Sequence, residues 1–391
     1  MRLGLLLPVV VTGACWAQPE ATVVREGPYW VRTLTGSIGV SQRVQVRITS
    51  RGAVAVRGND GGDLRYTLRA RVKAASESEA RRLLDAYTVQ ARPGAGTVQL
   101  VVLGGGRGVF ALAPELTVQA PKAVTNLVVE TGAGDIRVED IDGELNAVTG
   151  GGHFWIDRIG GTVSARTGGG EIHVGLVAGA LRCLSGGGRI RVERVDGESV
   201  IETAGGEILV REARGPLRAS TAGGSIHVER AARSVTAATA GGMIEVKDAG
   251  GTVTARSSGG PIQVGRAAGV RCETAAGTVR LDGVSGGLHV ATMAGSILAD
   301  LLPGGRLEDS SLSATSGDVV VTIPSDLAVT VRARTEPGGN AGKIVSDFAE
   351  IRWQAPGAPG YGAAVAEGAL NGGGPVLRIS VQGGAIHLRK K

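Results

Sequence analysis

From Thr131 onward the same glycine corner returns every 18 residues. Turns begin at Thr131, Thr149, Thr167, Ser185, Thr203, Thr221, Thr239, Ser257, Thr274 and Thr292, less cleanly at Ser310, with a single spacing of 17 between Ser257 and Thr274. The fourth position is Gly in all ten complete turns, from Gly134 and Gly152 to Gly277 and Gly295. A period of this size held through so many units specifies a solenoid, in which each turn stacks only on its neighbours. An unbroken Gly column means a corner with positive φ or one too crowded for a Cβ. A second Gly column lies nine residues further on, from Gly143 to Gly304, and only Arg233 breaks it.

Between the corners the pattern alternates with period two, so these segments are strands. The sixth position runs Ile136, Phe154, Ile172, Ile190, Ile208, Ile226, and the eighth runs Val138, Ile156, Val174, Val192, Val210, Val228; both columns face inward. The second strand of each turn carries Leu145, Val163 and Leu181, each followed two residues later by the small Ala147, Ala165 or Cys183. Large side chains on one wall meet small ones on the other, which fills a narrow core without voids. With a strand spacing of about 4.8 Å per turn, ten turns make a rod roughly 50 Å long.

Composition agrees with thin strands and tight turns: Gly is 65 of 391 residues, aromatics are 3%, and the hydrophobic 42% is mostly Val, Ile, Leu and Ala. Glycine does not recur every third residue, which excludes collagen. The apolar residues are too many and too regular for a disordered chain. The 42 basic and 36 acidic groups are interspersed, which argues for a solvated surface and against a nucleic-acid partner.

Residues 1–17 read as a signal peptide, with Arg2, an apolar core from Leu3 to Val11, and Cys15 and Ala17 as the small residues before cleavage at Gln18. The apolar run is too short to span a bilayer, and no later segment reads as a membrane helix. The expected location is exported: periplasm, outer surface or extracellular. Thr12-Gly13-Ala14-Cys15 also loosely resembles a lipobox, in which Cys15 would carry lipid, although Thr12 stands where an aliphatic residue is usual.

Catalytic chemistry needs convergent groups, and the sequence offers none. The five His residues fall at outward or terminal positions, and no HExxH, CxxC, GxSxG or Walker A pattern occurs. The expectation is no enzyme, no cofactor and no metal. Cys183 and Cys272 share one inward column five turns apart, about 24 Å at the strand spacing, far beyond the roughly 7 Å a disulfide allows. They read as buried thiols. At the tenth position the charge alternates from Arg194 to Glu212, Arg230, Asp248 and Arg266, a self-complementary ladder. The hydroxyl that opens every turn reads as a support for the corner. Trp155 breaks this uniformity as an outward aromatic flanked on adjacent turns by Arg137 and His173, with Arg191 one turn beyond. A Trp among cations satisfies itself by cation–π contact or grips a ligand. These four residues are the candidate surface patch.

The flanks differ. Residues 18–112 read as a strand-rich capping region with one helix over 76–87, opened by a capping box at Ser76 and Glu79. The repeats extend over 113–342, and residues 343–391 read as strands closing the rod. The fold class is all-β, a single-stranded β-solenoid. The repeated T-x-G-G-x-I-x-V phrase, the strand-rich segment before it and the ending LNGGGPVLRISVQGGAIHLRK resemble the putative adhesin family of bacterial secreted β-solenoid domains. The resemblance implies surface attachment and carries no functional residues with it. The expected function is a non-catalytic adhesin-like binding module whose partner is a cell-surface or matrix polymer. The alternatives are a structural rod assembling through its strand edges and a polysaccharide-active β-helix enzyme.

Overall fold

The computed structural model describes residues 20–40, 45–94, 96–104, 113–336, 343–354 and 363–391. The signal segment and Cys15 lie outside the described residues. Each turn folds into two strands, and equivalent strands of successive turns pair in parallel, so the rod is walled by two sheets. One turn supplies Ile208–Ala213 and Leu217–Thr221. Ile208 aligns with Ile190 and Ile226 in the first sheet, and Ala219 aligns with Ile201 and Ala237 in the second. The sixth and eighth columns are buried along the whole stack. One continuous core runs from Leu34 to Leu388.

The alternation breaks within the first strand. Positions nine and ten are both outward, and the eleventh column, with Ile141, Ile159, Val177, Val195 and Ala213, turns back into the core. Strict period two would bury the tenth residue and expose the eleventh. A bend that keeps the register, with Glu139 still aligned to Asp157 and Ile141 to Ile159, reverses this, and at two turns it takes left-handed backbone on non-glycine residues, φ 62° at Asp140 and 53° at Arg158.

The corners are built by the hydroxyl and glycine columns together. Thr221 Oγ1 donates to the Gly206 carbonyl at 3.0 Å and accepts from the Gly224 N–H at 3.2 Å. Thr149, Thr167, Ser185, Thr203 and Thr239 repeat both bonds on their own turns. Each hydroxyl therefore links its own corner to the corner below. That closeness leaves no room for a side chain, because a Cβ on Gly188, Gly206, Gly224 or Gly242 would stand 2.0–2.1 Å from a carbonyl oxygen one turn below. Of the ten fourth-position glycines only Gly277 and Gly295 have positive φ, so crowding, not backbone torsion, selects Gly here.

Both ends of the stack depart from chain order. At the N-terminal end the strands Gln45–Ser50 and Ala53–Asn59 form an inner rung. Val54 pairs with Leu116 on one side and Ile136 on the other, and Ile48 lies between Leu100 and Val129. At the C-terminal end Val376–Gly383 and Ile386–Lys390 do the same. Ile386 lies between Val319 and Ile344, and Ile379 between Leu312 and Ala333. The glycine column continues through both insertions, with Gly134 over Gly52 and Gly384 over Gly317. Antiparallel pairs lie beyond these rungs. Tyr29–Gly39 joins Glu20–Glu26 and Asp63–Val72, Thr88–Gly94 joins Thr97–Leu103, and Ala364–Leu370 joins Val329–Thr335.

The helix spans Glu77–Leu84. Ser76 Oγ accepts from the Glu79 N–H at 3.3 Å, while the Glu79 carboxylate reaches back one residue further than a capping box requires, to the Ala75 N–H at 3.1 Å. Ala80, Leu84 and, just past the helix, Tyr87 are buried in the common core. No helix among the described residues is long and apolar enough to cross a membrane.

Candidate binding surface

Parallel register brings the four sequence-selected residues into one row on the outer face of the first sheet. Arg137 aligns with Trp155, Trp155 with His173, and His173 with Arg191. Trp155 is 42% exposed, because its position alternates with the inward Phe154 and Ile156 on either side. His153, at the preceding corner, leans on the indole with ring centroids 5.9 Å apart and planes at 55°.

The cationic character expected of the row is largely cancelled. Arg137 pairs with Glu139 at 2.5 Å and Arg191 with Glu193 at 2.8 Å, each carboxylate two residues along on the same strand. Glu193 is also held by Arg211 from the next turn at 2.9 Å. Arg158 bridges Asp140 at 2.5 Å and also bonds Asp157. Sequence reasoning saw the row of cations and missed their partners. The signal was the acidic ninth column, with Glu139, Asp157 and Glu193, which period two already places outward beside the row.

These contacts shift the acids. The hydrogen bond from Arg158, and then its charge, hold Asp140 below the usual carboxylate range. Hydrogen bonds from Arg211 and Arg191 do the same for Glu193. A depressed carboxylate keeps its ion pair through the pH range where an ordinary Asp or Glu protonates, and loses it only as pH falls through the lower folded-state value. The ion pairs of Asp140 and Glu193 are therefore expected to persist into mild acid.

A groove of about 450 Å³ lies beside the row, with Arg137, Trp155 and His173 on one side and Glu139, Asp157, Leu176 and Glu193 on the other. Its lining residues come from four successive turns, so it runs along the rod axis. Gly175 opens its floor, since a Cβ there would meet Asp157 Oδ1 at 2.0 Å. Asp157 Oδ1 instead accepts from the Leu176 N–H at 3.1 Å. Leu176, 39% exposed, is the second apolar side chain of the groove.

The tenth column is in register as expected, with Arg194, Glu212, Arg230, Asp248 and Arg266 on successive turns. It closes in two ways. Arg266 pairs across turns with Asp248 at 2.8 Å, whereas Arg194 and Glu212 take partners on their own turns, Asp196 and Arg214, each at 3.0 Å.

A larger trough of about 850 Å³ runs over the second sheet, lined mainly by small Ala, Ser and Thr residues around Ala222, Ala240 and Ala275, with the exposed Met293 among them. It presents no aromatic ring. Among the described residues no cluster of His, Cys, Asp or Glu is arranged to hold a metal ion.

Cys183 and Cys272 are free and fully buried, and burial pushes both thiols up to about 12. The thiolate is the reactive form. Maleimide labelling read by mass spectrometry is therefore expected to leave both cysteines unmodified in the native protein and to modify both in guanidinium. Native labelling of either one would contradict the packing described.

Residues 207–343 match the Toastrack DUF4097 family. The match falls on the later repeats and covers part of the repeated phrase on which the sequence resemblance rests. The search of curated proteins found no match. Among solved structures, a putative adhesin from Parabacteroides distasonis is 10% identical, with 67% of this chain and 97% of that one covered at a TM-score of 0.34. A putative adhesin from Bacteroides fragilis is 11% identical over 91% and 96% at 0.29. A putative lipid binding protein from Parabacteroides distasonis is 13% identical over 91% and 96% at 0.24.

Proposed function

We propose that this chain is an exported, non-catalytic, adhesin-like binding module that holds an extended cell-surface or matrix polymer along the outer face of its first sheet. The carrying observation is Trp155: a large apolar side chain, 42% exposed, beside an axial groove on a face otherwise laced with ion pairs. Exposed aromatics next to concave surface are where binding energy concentrates. In this reading residues 18–112 and 343–391 cap the two ends of the rod, and residues 1–17 direct export, with Cys15 as the lipid attachment point if the leader is processed as a lipoprotein. The mature protein and its Trp155→Ala variant are to be compared on an array of glycans and matrix proteins. The expected result is at least one binder of the parent protein that the variant loses. Equal binding by both would remove the patch from the account.

A structural rod is the second reading, favoured by Trp353. It is 63% exposed on Arg352–Gln354, the outermost strand of the second sheet at the C-terminal end among the described residues. An open strand edge with an exposed aromatic is a template for association. Concentration-dependent growth in light scattering, abolished by Trp353→Lys, is the outcome that reading requires.

A further inference from the structure

The groove beside Trp155 says what kind of polymer fits it. Every carboxylate on its walls is already bonded to arginine: Glu139 to Arg137, Asp157 to Arg158, Glu193 to Arg191 and Arg211. An anionic ligand would meet a like-charged carboxylate beside each arginine of the lining, and a cationic one a like-charged arginine beside each carboxylate. Either repulsion offsets the gain. An acyl chain fares no better, because Trp155 and Leu176 are the only exposed apolar side chains in the lining and the walls between them are charged. What remains on offer is one flat aromatic face, tilted into position by His153, and a rim of guanidinium donors and carboxylate acceptors already held in place.

A neutral pyranose ring is complementary to that arrangement. Its C–H face is apolar and its edge carries hydroxyls, each able to donate and accept. The carboxylates keep lone pairs beyond those used by arginine, so a hydroxyl can add to the ion pair without breaking it. The groove spans four turns, about 14 Å between the first and last at the strand spacing, which suits a short run of rings and not a single one. We propose that this groove binds consecutive uncharged pyranose residues of a neutral polysaccharide lying along the rod axis, with one ring stacked on Trp155. The assignment rests on the binding-module reading above and sharpens it to a ligand class.

The test is calorimetric titration of the mature protein with neutral hexasaccharides (cellohexaose, xylohexaose, mannohexaose and chitohexaose), with polygalacturonate and dextran sulfate as anionic polymers, and with phosphatidylglycerol vesicles. The expected result is saturable binding of at least one neutral hexasaccharide, insensitive to added salt. Trp155→Ala and the groove-filling Gly175→Leu should each weaken it about tenfold or more, with thermal unfolding unchanged in at least one of them, while Trp353→Ala has no effect. If only an anionic polymer or vesicle binds, and Trp155→Ala abolishes that binding, the groove is a site but the neutral-glycan class is overturned. Neutral-sugar binding that survives both groove variants overturns the location. Failure of all four hexasaccharides to bind overturns the assignment, and the array then decides separately whether the module binds anything at Trp155.

Discussion

Replacing Gly188 by Ala is expected to destabilise the fold by about 2–4 kcal/mol, whereas Gly187→Ala, one residue earlier in the same triplet, should change the stability by less than about 0.5 kcal/mol. The two positions look alike in the sequence. A Cβ on Gly188 would stand 2.0 Å from the Gly170 carbonyl oxygen, and a Cβ on Gly187 would meet nothing within 4 Å. To admit the methyl group the corner must lift from the turn below. The Ser185 hydroxyl then loses its bonds to the Gly170 carbonyl at 2.8 Å and from the Gly188 N–H at 2.9 Å. Gly170 is buried and Gly188 half-buried, so part of their desolvation is not recovered. Urea denaturation followed by circular dichroism gives the comparison. Equal midpoints for the two variants would refute the crowded-corner account.

The second large effect concerns the out-of-order rung at the C-terminal end. Ile386→Asp places a carboxylate at a fully buried position between Val319 and Ile344 and is expected to cost about 4 kcal/mol or more locally. Arg389→Asp, on the same strand but exposed, should be tolerated. The informative readout is where protection from hydrogen exchange disappears. If Ile386–Lys390 were simply the last rung, its loss would fray only itself. Because Ile344–Ser346 pairs through that strand, and Val329–Thr335 pairs with the companion strand Val376–Gly383, these segments earlier in the chain should lose protection with it. The repeats around Ile208 should stay protected, as a stack of nearest-neighbour contacts allows. Loss confined to residues 376–391 would contradict the interposed topology.

Most of the solenoid was legible from the columns. Inward Ile and Val, outward charge, glycine corners and the hydroxyl at each turn are local demands repeated at one period, and stacking turns each into a vertical row. Cys183 and Cys272 could be assigned to one buried column by counting alone. The bend was not legible, because two adjacent outward residues mimic an irregularity in a period-two pattern, so the core column from Ile141 to Ala213 was missed. The candidate surface was half legible: register predicted the row from Arg137 to Arg191, but not that Glu139 and Glu193 would neutralise its cations.

The repeat sequence by itself determined the solenoid, its period, its core and the identity of the corner residues, since each depends on a residue and its equivalents one turn away. Tertiary structure alone decided which segments form the inner rungs at the two ends. Strands such as Ala53–Asn59 and Ile386–Lys390 carry the same alternation as any other rung, and nothing local distinguishes stacking on the preceding turn from insertion between two distant ones. Tertiary structure also decided the cross-turn part of the charge pattern on the Trp155 face, where Arg211 reaches Glu193 and Arg158 reaches Asp140 from the next turn, because those distances are set by how the turns stack.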